Sequence, residues 1–447
     1  MITKKIGVVS LGCDKNRVDT EYMLAALQAA GHTLVQRPEE AEILIVNTCA
    51  FLESARAEAI STVLELSELK QTAKLQKLIV TGCLPQGYSE ELKELTEADA
   101  VMGVNAWQSV AEVIARLYVE EEQVALVPPA EQWQFTDARV ITTPPHYAYL
   151  KIADGCNNFC SYCLIPYLRG RYRSKPIALL VEEATALVEG GARELILVAQ
   201  DVTRYGYDWD KQLHLTELLQ ALKKIEGLEW IRLLYCYPEL VTDGLIEEMA
   251  TNPKVVPYID IPLQHISDGI LRRMNRRSTK AQTEEIIRKL REKMPDIAIR
   301  TTFIVGFPGE TEEDFSEILE FLKAHELEHA GFFAYSQEEG TRAATFPDQV
   351  DEAVKQRRKE QAEALQAEIM LKKAEAMIGK TVTVVTDGID FELGCFYGRT
   401  EAYAPDIDNA VYFTSDGDIA QGEIYQVTVT DTLGLCLRGT VTEGEEE

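Results

Sequence analysis

Asp154-Gly155-Cys156-Asn157-Asn158-Phe159-Cys160-Ser161-Tyr162-Cys163 carries three thiols within eight residues, spaced Cys-x3-Cys-x2-Cys. It follows directly on the strand-like run Tyr147-Ala148-Tyr149-Leu150-Lys151-Ile152. Thiolates are the usual ligands of iron–sulfur clusters, and a four-iron cubane takes four of them. Three leave one iron without a protein ligand, which is wrong for simple electron transfer and right for binding a substrate or cofactor. Zinc is the main chemical competitor, but a structural zinc site wants four ligands from paired short loops. The nearest histidine, His146, lies upstream of the strand. Three buried or disulfide-forming cysteines are the remaining alternative.

This spacing resembles the signature of the radical S-adenosylmethionine enzymes. The resemblance implies that the open iron is chelated by the amino and carboxylate groups of S-adenosylmethionine. It also implies that the aromatic before the last cysteine, Tyr162, lies near the adenine.

Downstream of the cysteines, apolar runs alternate with helical patterns. Strand candidates are Tyr147–Ala153, Glu194–Ala199, Trp230–Cys236, Tyr258–Leu263, Ala298–Val305 and Gly331–Tyr335. Six β/α units predict a six-stranded (β/α)6 partial TIM barrel over 141–350, with functional groups at the carboxyl ends of the strands. The polar residues there are Gln200-Asp201, Gln264-His265, Gly306-Phe307-Pro308-Gly309-Glu310 and Ser336. Of these, Gln200, Gln264, Gly306, Phe307 and Pro308 are taken with Tyr162 as cofactor-binding candidates. The Gly306 turn reads either as a strand-to-helix connection with acids at a helix start or as a backbone wall against the adenine, since glycine permits close approach. His265 reads as a structural or a proton-transfer group. Arg169, Arg171 and Arg173 read as partners of a carboxylate or as solvated charges. Cys236 reads as a core thiol.

Upstream, residues 1–140 also alternate strand and helix, which argues a parallel α/β sheet. Ile6–Leu11 precedes a helical stretch from Val18 to Ala30. Ile43–Thr48 precedes one from Glu53 to Lys70, and Leu78–Gly82 precedes one beginning near Ser89. Each of Cys13, Cys49 and Cys83 directly follows one of these strands. The carboxyl ends of parallel strands share one edge, so the three thiols are expected to converge there as a second three-thiolate set. The alternative is that a small apolar thiol closes each buried strand. No Walker-type Gly-Lys-Ser/Thr loop and no G-x-G-x-x-G appears here. The Pro-containing passage Val127–Pro145 reads as a linker.

Residues 351–379 read as a charged connecting helix. Beyond it, short β-rich runs separated by Asp and Gly turns predict a five-stranded antiparallel β-barrel over 380–447. Cys395 and Cys436 lie within its strands and read as packing residues. Over 381–447, Arg399 and Arg438 face fourteen acids, a net charge of −12. The whole chain of 447 residues carries −28, with a pI of about 4.7. Such a surface repels phosphate backbones unless a local basic patch compensates. It contains no apolar run of about 18 residues and no signal-like start, so a cytoplasmic enzyme without a membrane partner is expected. Its nine cysteines then read as metal ligands more readily than as disulfides.

Cys13, Cys49 and Cys83, then Cys156, Cys160 and Cys163, then a C-terminal β-barrel: in that order the chain closely resembles the methylthiotransferases over nearly its whole length. The resemblance implies two 4Fe-4S clusters, an auxiliary one on the first three cysteines and the radical-generating one on the later three. It also implies that the barrel is a TRAM domain that recognises substrate. Leu11-Gly12-Cys13-Asp14-Lys15-Asn16 is similar to the branch acting on protein twelve of the small ribosomal subunit, whose usual form is Gly-Cys-Pro-Lys-Asn. The tRNA adenosine branch reads Gly-Cys-Gln-Met-Asn. Gly398–Asp408 is similar to the ribosomal-protein branch as well. Asp14 and Tyr403 depart from that pattern and leave the ligand cysteines untouched. Charge points the same way, since a −12 barrel suits a basic ribosomal protein better than tRNA.

The activity so implied is methylthiolation of the β-carbon of one aspartate, with tRNA 2-methylthiolation as the alternative. An unactivated C–H bond offers no acidic proton and no leaving group, so no side chain is assigned as catalyst and the chemistry is delegated to the cofactors. An electron donor such as flavodoxin or ferredoxin is the further partner expected, and no direct nucleic-acid substrate is.

Overall fold

The computed structural model describes residues 3–130, 132, 135, 136 and 138–442. Residues 131, 133, 134 and 137 of the expected linker and 443–447 of the expected barrel segment lie outside them. Strands β1 (Lys5–Ser10), β2 (Thr33–Val35), β3 (Ile43–Thr48), β4 (Lys77–Gly82), β5 (Ala100–Met102) and β6 (Val124–Leu126) form one sheet in the order β2-β1-β3-β4-β5-β6. Every pairing in it is parallel. β3 is buried along its whole length, which is why Ile43–Val46 reads as a continuous apolar run: helices cover both faces. β2, β5 and β6 have three residues each, too few to display a period. The helix expected near Ser89 instead spans Cys83–Tyr88. Gly82 turns the chain out of β4 at φ +100°, and Pro85 sits in the first turn, where its missing N–H leaves no gap.

The second sheet is also six-stranded and parallel: β7 (Tyr147–Lys151), β10 (Glu194–Val198), β11 (Trp230–Leu233), β12 (Val255–Asp260), β13 (Ala298–Val305) and β14 (His329–Ala334). A two-residue ribbon, β8 (Ala153–Asp154) with β9 (Arg173–Ser174), stands beside it. Strand side chains alternate between faces, and here the two faces do different work. Leu150, Leu195, Leu233 and Ile259 pack under the outer helices. Tyr149, Ile196, Trp230 and Tyr258 join a core shared with the N-terminal sheet and the C-terminal barrel. The concave side of this partial barrel is therefore filled from both neighbouring domains.

The helix Glu352–Glu375 follows β14, with Arg358 bonded to Glu310 at 2.9 Å and Gln366 to the carbonyl of Leu327 at 3.0 Å. Strands β15 (Thr381–Asp390), β16 (Cys395–Arg399), β17 (Val411–Thr414), β18 (Ile424–Leu433) and β19 (Cys436–Val441) then close a barrel in the order β15-β16-β17-β19-β18. Four pairings are antiparallel and one, β17 with β19, is parallel. Directions cannot alternate all the way round a closed ring with an odd number of strands, so one parallel pair has to appear. The loop between β16 and β17 seats under the partial barrel. Asp408 accepts from the Tyr258 hydroxyl at 2.7 Å, Arg232 donates to the Glu401 carbonyl at 2.6 Å, and Arg399 meets Glu194 at 2.7 Å. Among the described residues no helix is long and apolar enough to cross a membrane.

Candidate active site

The loop 154–163 begins at a fully buried carboxylate. Asp154 accepts from Lys151 Nζ at 3.2 Å, Arg169 Nη1 at 3.1 Å, Gln200 Nε2 at 3.1 Å and its neighbour's N–H at 2.9 Å. Burial alone would raise this carboxyl, but Lys151, Arg169 and Arg173 outweigh it and hold the group well below the usual carboxylate range. Gly155 takes φ +82°, and a Cβ there would collide with the carbonyl oxygens of Gly170 and Arg171. That close approach lets Cys156 N–H reach the Gly170 carbonyl at 3.0 Å. Two sulfurs receive backbone donors: Asn158 N–H on Cys156 Sγ and Ile165 N–H on Cys163 Sγ, both at 3.4 Å. Such donors favour a negatively charged sulfur. Without a ligand, burial pushes the Cys156 thiol up to about 12 and raises Cys163 as well, so binding a metal there expels protons.

Cys13 caps the helix Asp14–Ala29, Cys49 follows β3, and Cys83 opens the helix after β4. Since β1, β3 and β4 are adjacent, the three thiols leave neighbouring strand ends on one edge, as the alternation implies. Each feels the others' charge at Cys83, whose thiol burial pushes up to about 12 while Arg169 pulls it down. Asn16 ties this edge together, donating to the Thr48 carbonyl at 3.0 Å and accepting from Arg169. Arg169 thereby bridges the two cysteine loops. It is buried and held by Asp154 and by Asp19 at 3.0 Å, so it is a structural cation, neither solvated nor free for a ligand carboxylate.

A zinc ion needs its donors at about 2.0–2.3 Å from one point. Among the described residues no three His, Cys, Asp or Glu side chains are disposed to hold a single ion. A four-iron cluster spreads its thiolates over separate corners. Donor type, inward N–H groups and a buried neighbouring cation all fit such a group.

The cofactor candidates fall as follows. Tyr162 stands edge-on to Phe307, ring centres 6.4 Å apart, which brings the end of β13 to the cysteine loop. Gln200 spends Nε2 on Asp154, and its buried Oε1 has no partner. Gln264 adopts φ +70° and bridges to β13 through its backbone, N–H to Thr302 O and O from Ile304 N–H, each at 2.7 Å. Gly306, Phe307 and Pro308 are buried. Their turn is knitted by Glu310, which accepts from the N–H groups of Gly306 at 2.8 Å and Phe307 at 3.3 Å. His265 is fully buried, its Nδ1 accepting two backbone N–H groups at 2.9 Å and its Nε2 facing Glu310 at 3.3 Å; it braces the turn. Cys236 is buried in the barrel core. Sequence reasoning missed Arg276. It is buried, lies 4.2 Å over the Tyr237 ring, and donates Nη2 to Pro262 O at 2.7 Å. Its Nε and Nη1 have no partner, and Cys160 and Tyr162 lie within reach of its charge. Four arginines in the run Arg272–Arg277 hide which one turns inward.

Residues 150–322 match the Radical SAM superfamily, 5–103 the Uncharacterized protein family UPF0004 and 378–441 the TRAM domain. Among solved structures the fold is similar to a radical S-adenosylmethionine methyltransferase, TsrM, from Kitasatospora setae. The TM-score is 0.58 at 15% identity, over 74% of this chain and 73% of that one. The class is that of the radical S-adenosylmethionine enzymes. Within it, the chain is 46% identical to the ribosomal protein uS12 methylthiotransferase RimO of Thermoanaerobacter sp. (strain X514), covering 98% of this chain and 99% of that protein. It is also 46% identical to the RimO of Geobacter sulfurreducens, over 98% of each. The chain belongs to the RimO family of methylthiotransferases.

Proposed function

We propose that this protein methylthiolates the β-carbon of one aspartate in ribosomal protein uS12, in the cytoplasm, using S-adenosylmethionine and two 4Fe-4S clusters. Cys156, Cys160 and Cys163 would hold the cluster that engages S-adenosylmethionine; Cys13, Cys49 and Cys83 would hold the auxiliary one. When bound, these groups supply the one-electron chemistry, the hydrogen abstraction and the methylthio group. The chain's own residues do the rest. Asp154, through Gly155 and Gln200, fixes the cysteine loop against the strand ends. The unpartnered Oε1 of Gln200 and guanidinium of Arg276 suit the amino and carboxylate groups of S-adenosylmethionine. Tyr162, Phe307, Gly306, Pro308 and the Gln264 bend wall the adenine side. Leu164 and Leu168, just after the Cys163 loop, pack with Ala50, Cys83 and Leu84 and hold the edge that carries Cys83 against that loop. A flavodoxin or ferredoxin would deliver the electron.

One observation carries the choice of a protein substrate over tRNA. Of the three cations in 380–442, Arg399 is turned inward and consumed by Glu194 and Asp387, which leaves only Lys380 at the entry to the barrel and Arg438 exposed. A surface of that kind repels a phosphate backbone and attracts a basic protein. The test is mass spectrometry after incubating anaerobically reconstituted enzyme with reductant, S-adenosylmethionine and two substrates, a uS12 peptide carrying the target aspartate and an unmodified tRNA. A gain of about 46 Da, replacement of H by SCH3, is expected on the peptide alone. The same gain on the tRNA alone overturns the reading.

A further inference from the structure

Most cations near the two cysteine loops are paired with acids; besides Arg276, assigned above to the cofactor side, Lys15 is not. Arg169 is held by Asp154 and Asp19, Lys151 by the same two acids at 3.2 and 2.5 Å, and Arg300 by Asp260 at 2.9 Å. Lys15, two residues after Cys13, is 6% exposed. Its ammonium has neither a carboxylate nor a hydrogen-bond acceptor among the described residues. Its one contact is the face of the Tyr235 ring, 3.3 Å from the ring centre. A cation–π contact recovers part of the cost of burying an ammonium; an anion and its hydrogen bonds recover far more.

The surroundings say where that anion would sit. Tyr235 follows the carboxyl end of β11, on the rim of the partial barrel, and is held at φ +59°, an uncommon conformation for a tyrosine. Its backbone N–H donates to Asp260 Oδ2 at 2.9 Å and its hydroxyl to Asp14 Oδ2 at 2.9 Å. The ring is thus pinned between the barrel rim and the loop that carries Cys13. Asp14, the acid adjacent in sequence, is taken up by that hydroxyl. Lys15 lies on the face of a fixed platform, at the junction of barrel mouth and Cys13 edge.

We propose that Lys15, on its Tyr235 platform, forms a carboxylate-binding subsite that takes the side-chain carboxylate of the acceptor aspartate. This rests on the function proposed above and deepens it. The β-carbon to be modified is bonded directly to the carboxylate carbon, so whatever grips the carboxylate also places the reacting carbon. A grip beside Cys13 presents that carbon to the sulfur side of the site. It also selects against an asparagine or a neutral base at the same position, because either would leave the ammonium without an anion.

The test measures equilibrium binding of two uS12 peptides, one with the target aspartate and one with asparagine in its place, to the anaerobically reconstituted holoenzyme. Wild type, Lys15→Met and Lys15→Arg are compared, each with its iron content measured. Wild type is expected to prefer the aspartate peptide by roughly 10-fold or more. Lys15→Met, which keeps the aliphatic stem and loses the charge, is expected to bind both peptides alike, and Lys15→Arg to restore the preference. A Lys15→Met protein with wild-type iron that still prefers aspartate overturns the subsite, as does wild type binding both peptides equally. The asparagine peptide decides the matter on wild type even where a variant fails to load iron. Mass spectrometry of the aspartate peptide with wild type separates the two levels. Modification together with an unchanged preference in Lys15→Met sinks the subsite alone, whereas no modification sinks the function reading.

Discussion

Arg169 meets Asp154 at 3.1 Å in the interior, and the same guanidinium reaches Asp19 at 3.0 Å and the side chain of Asn16. Asp154 begins the Cys156 loop, while Asp19 and Asn16 lie on the helix capped by Cys13. One buried cation therefore joins the two cysteine sets. Replacing Asp154 by Asn leaves Lys151 and Arg169 with Asp19 alone, a buried charge imbalance that costs about 3–5 kcal/mol. The expected result is a lower denaturation midpoint of the anaerobic holoenzyme and loss of iron. Wild-type values of both in Asp154→Asn contradict the bridging role.

The cysteine sets should separate cleanly. Replacing Cys156, Cys160 and Cys163 together by Ala is expected to lower iron from about eight to about four atoms per chain and abolish S-adenosylmethionine cleavage. Replacing Cys13, Cys49 and Cys83 is expected to lower iron by the same amount and abolish methylthiolation of the peptide. Iron analysis and product mass spectra check both; either triple variant that keeps about eight irons removes its set from the ligands.

Arg276 is expected to govern cofactor affinity. Arg276→Gln removes a charged partner worth about 1.5–3 kcal/mol and should raise KM for S-adenosylmethionine roughly 10- to 100-fold. Equilibrium binding of S-adenosylmethionine to the same variant should weaken in parallel. Unaltered binding removes Arg276 from the cofactor site.

Arg399, itself held by Asp387 of the same barrel, locks the C-terminal barrel to the sheet through Glu194. Arg399→Met leaves Glu194 with Arg232 alone and Asp387 with His146 alone in a buried interface. We expect the junction near residues 376–380 to become sensitive to limited proteolysis, and peptide methylthiolation to fall at least 10-fold, the scale of breaking a buried pair. Unchanged protease resistance contradicts the lock.

Acid should release the same lock. Burial would raise the Glu194 carboxyl, but Arg399 and Arg232 bring it below its ordinary value. A carboxyl depressed on folding adds stability above its unfolded pKa, about 4.3 for Glu, and loses it as pH falls toward the folded value. Asp154, likewise depressed, acts in the same window. Denaturation midpoints are expected to drop from roughly pH 5 downward. In Glu194→Gln the slope should be shallower, and an equal slope in the two proteins assigns the acid limb elsewhere.

Much of the architecture was legible because the signals were local. β3 opens on the apolar run Ile43–Val46 and β13 closes on Phe303–Val305, the Cys-x3-Cys-x2-Cys spacing lies in one loop, and Cys13, Cys49 and Cys83 each follow a readable strand. Three-residue strands escaped notice, since β2, β5 and β6 are too short to show a period. The helix after β4 is expected near Ser89 and in fact starts at Cys83, since a proline in the first helical turn, here Pro85, and one in a loop look the same in sequence.

Sequence by itself determined the class of chemistry: ligand type, spacing and order depend on residues close together in the chain or at equivalent strand ends. Only the tertiary structure decided which cations do what. Arg169, Arg171 and Arg173 look interchangeable in the chain, as do Arg272, Arg273, Arg276 and Arg277. Yet Arg169 is consumed by acids more than a hundred residues away in sequence on one side and fifteen on the other, Arg276 keeps two unpartnered nitrogens, and Lys15 faces a ring from the other domain. A charge acquires its role from the partners that desolvate and neutralise it, and those partners are brought together only when the three domains pack.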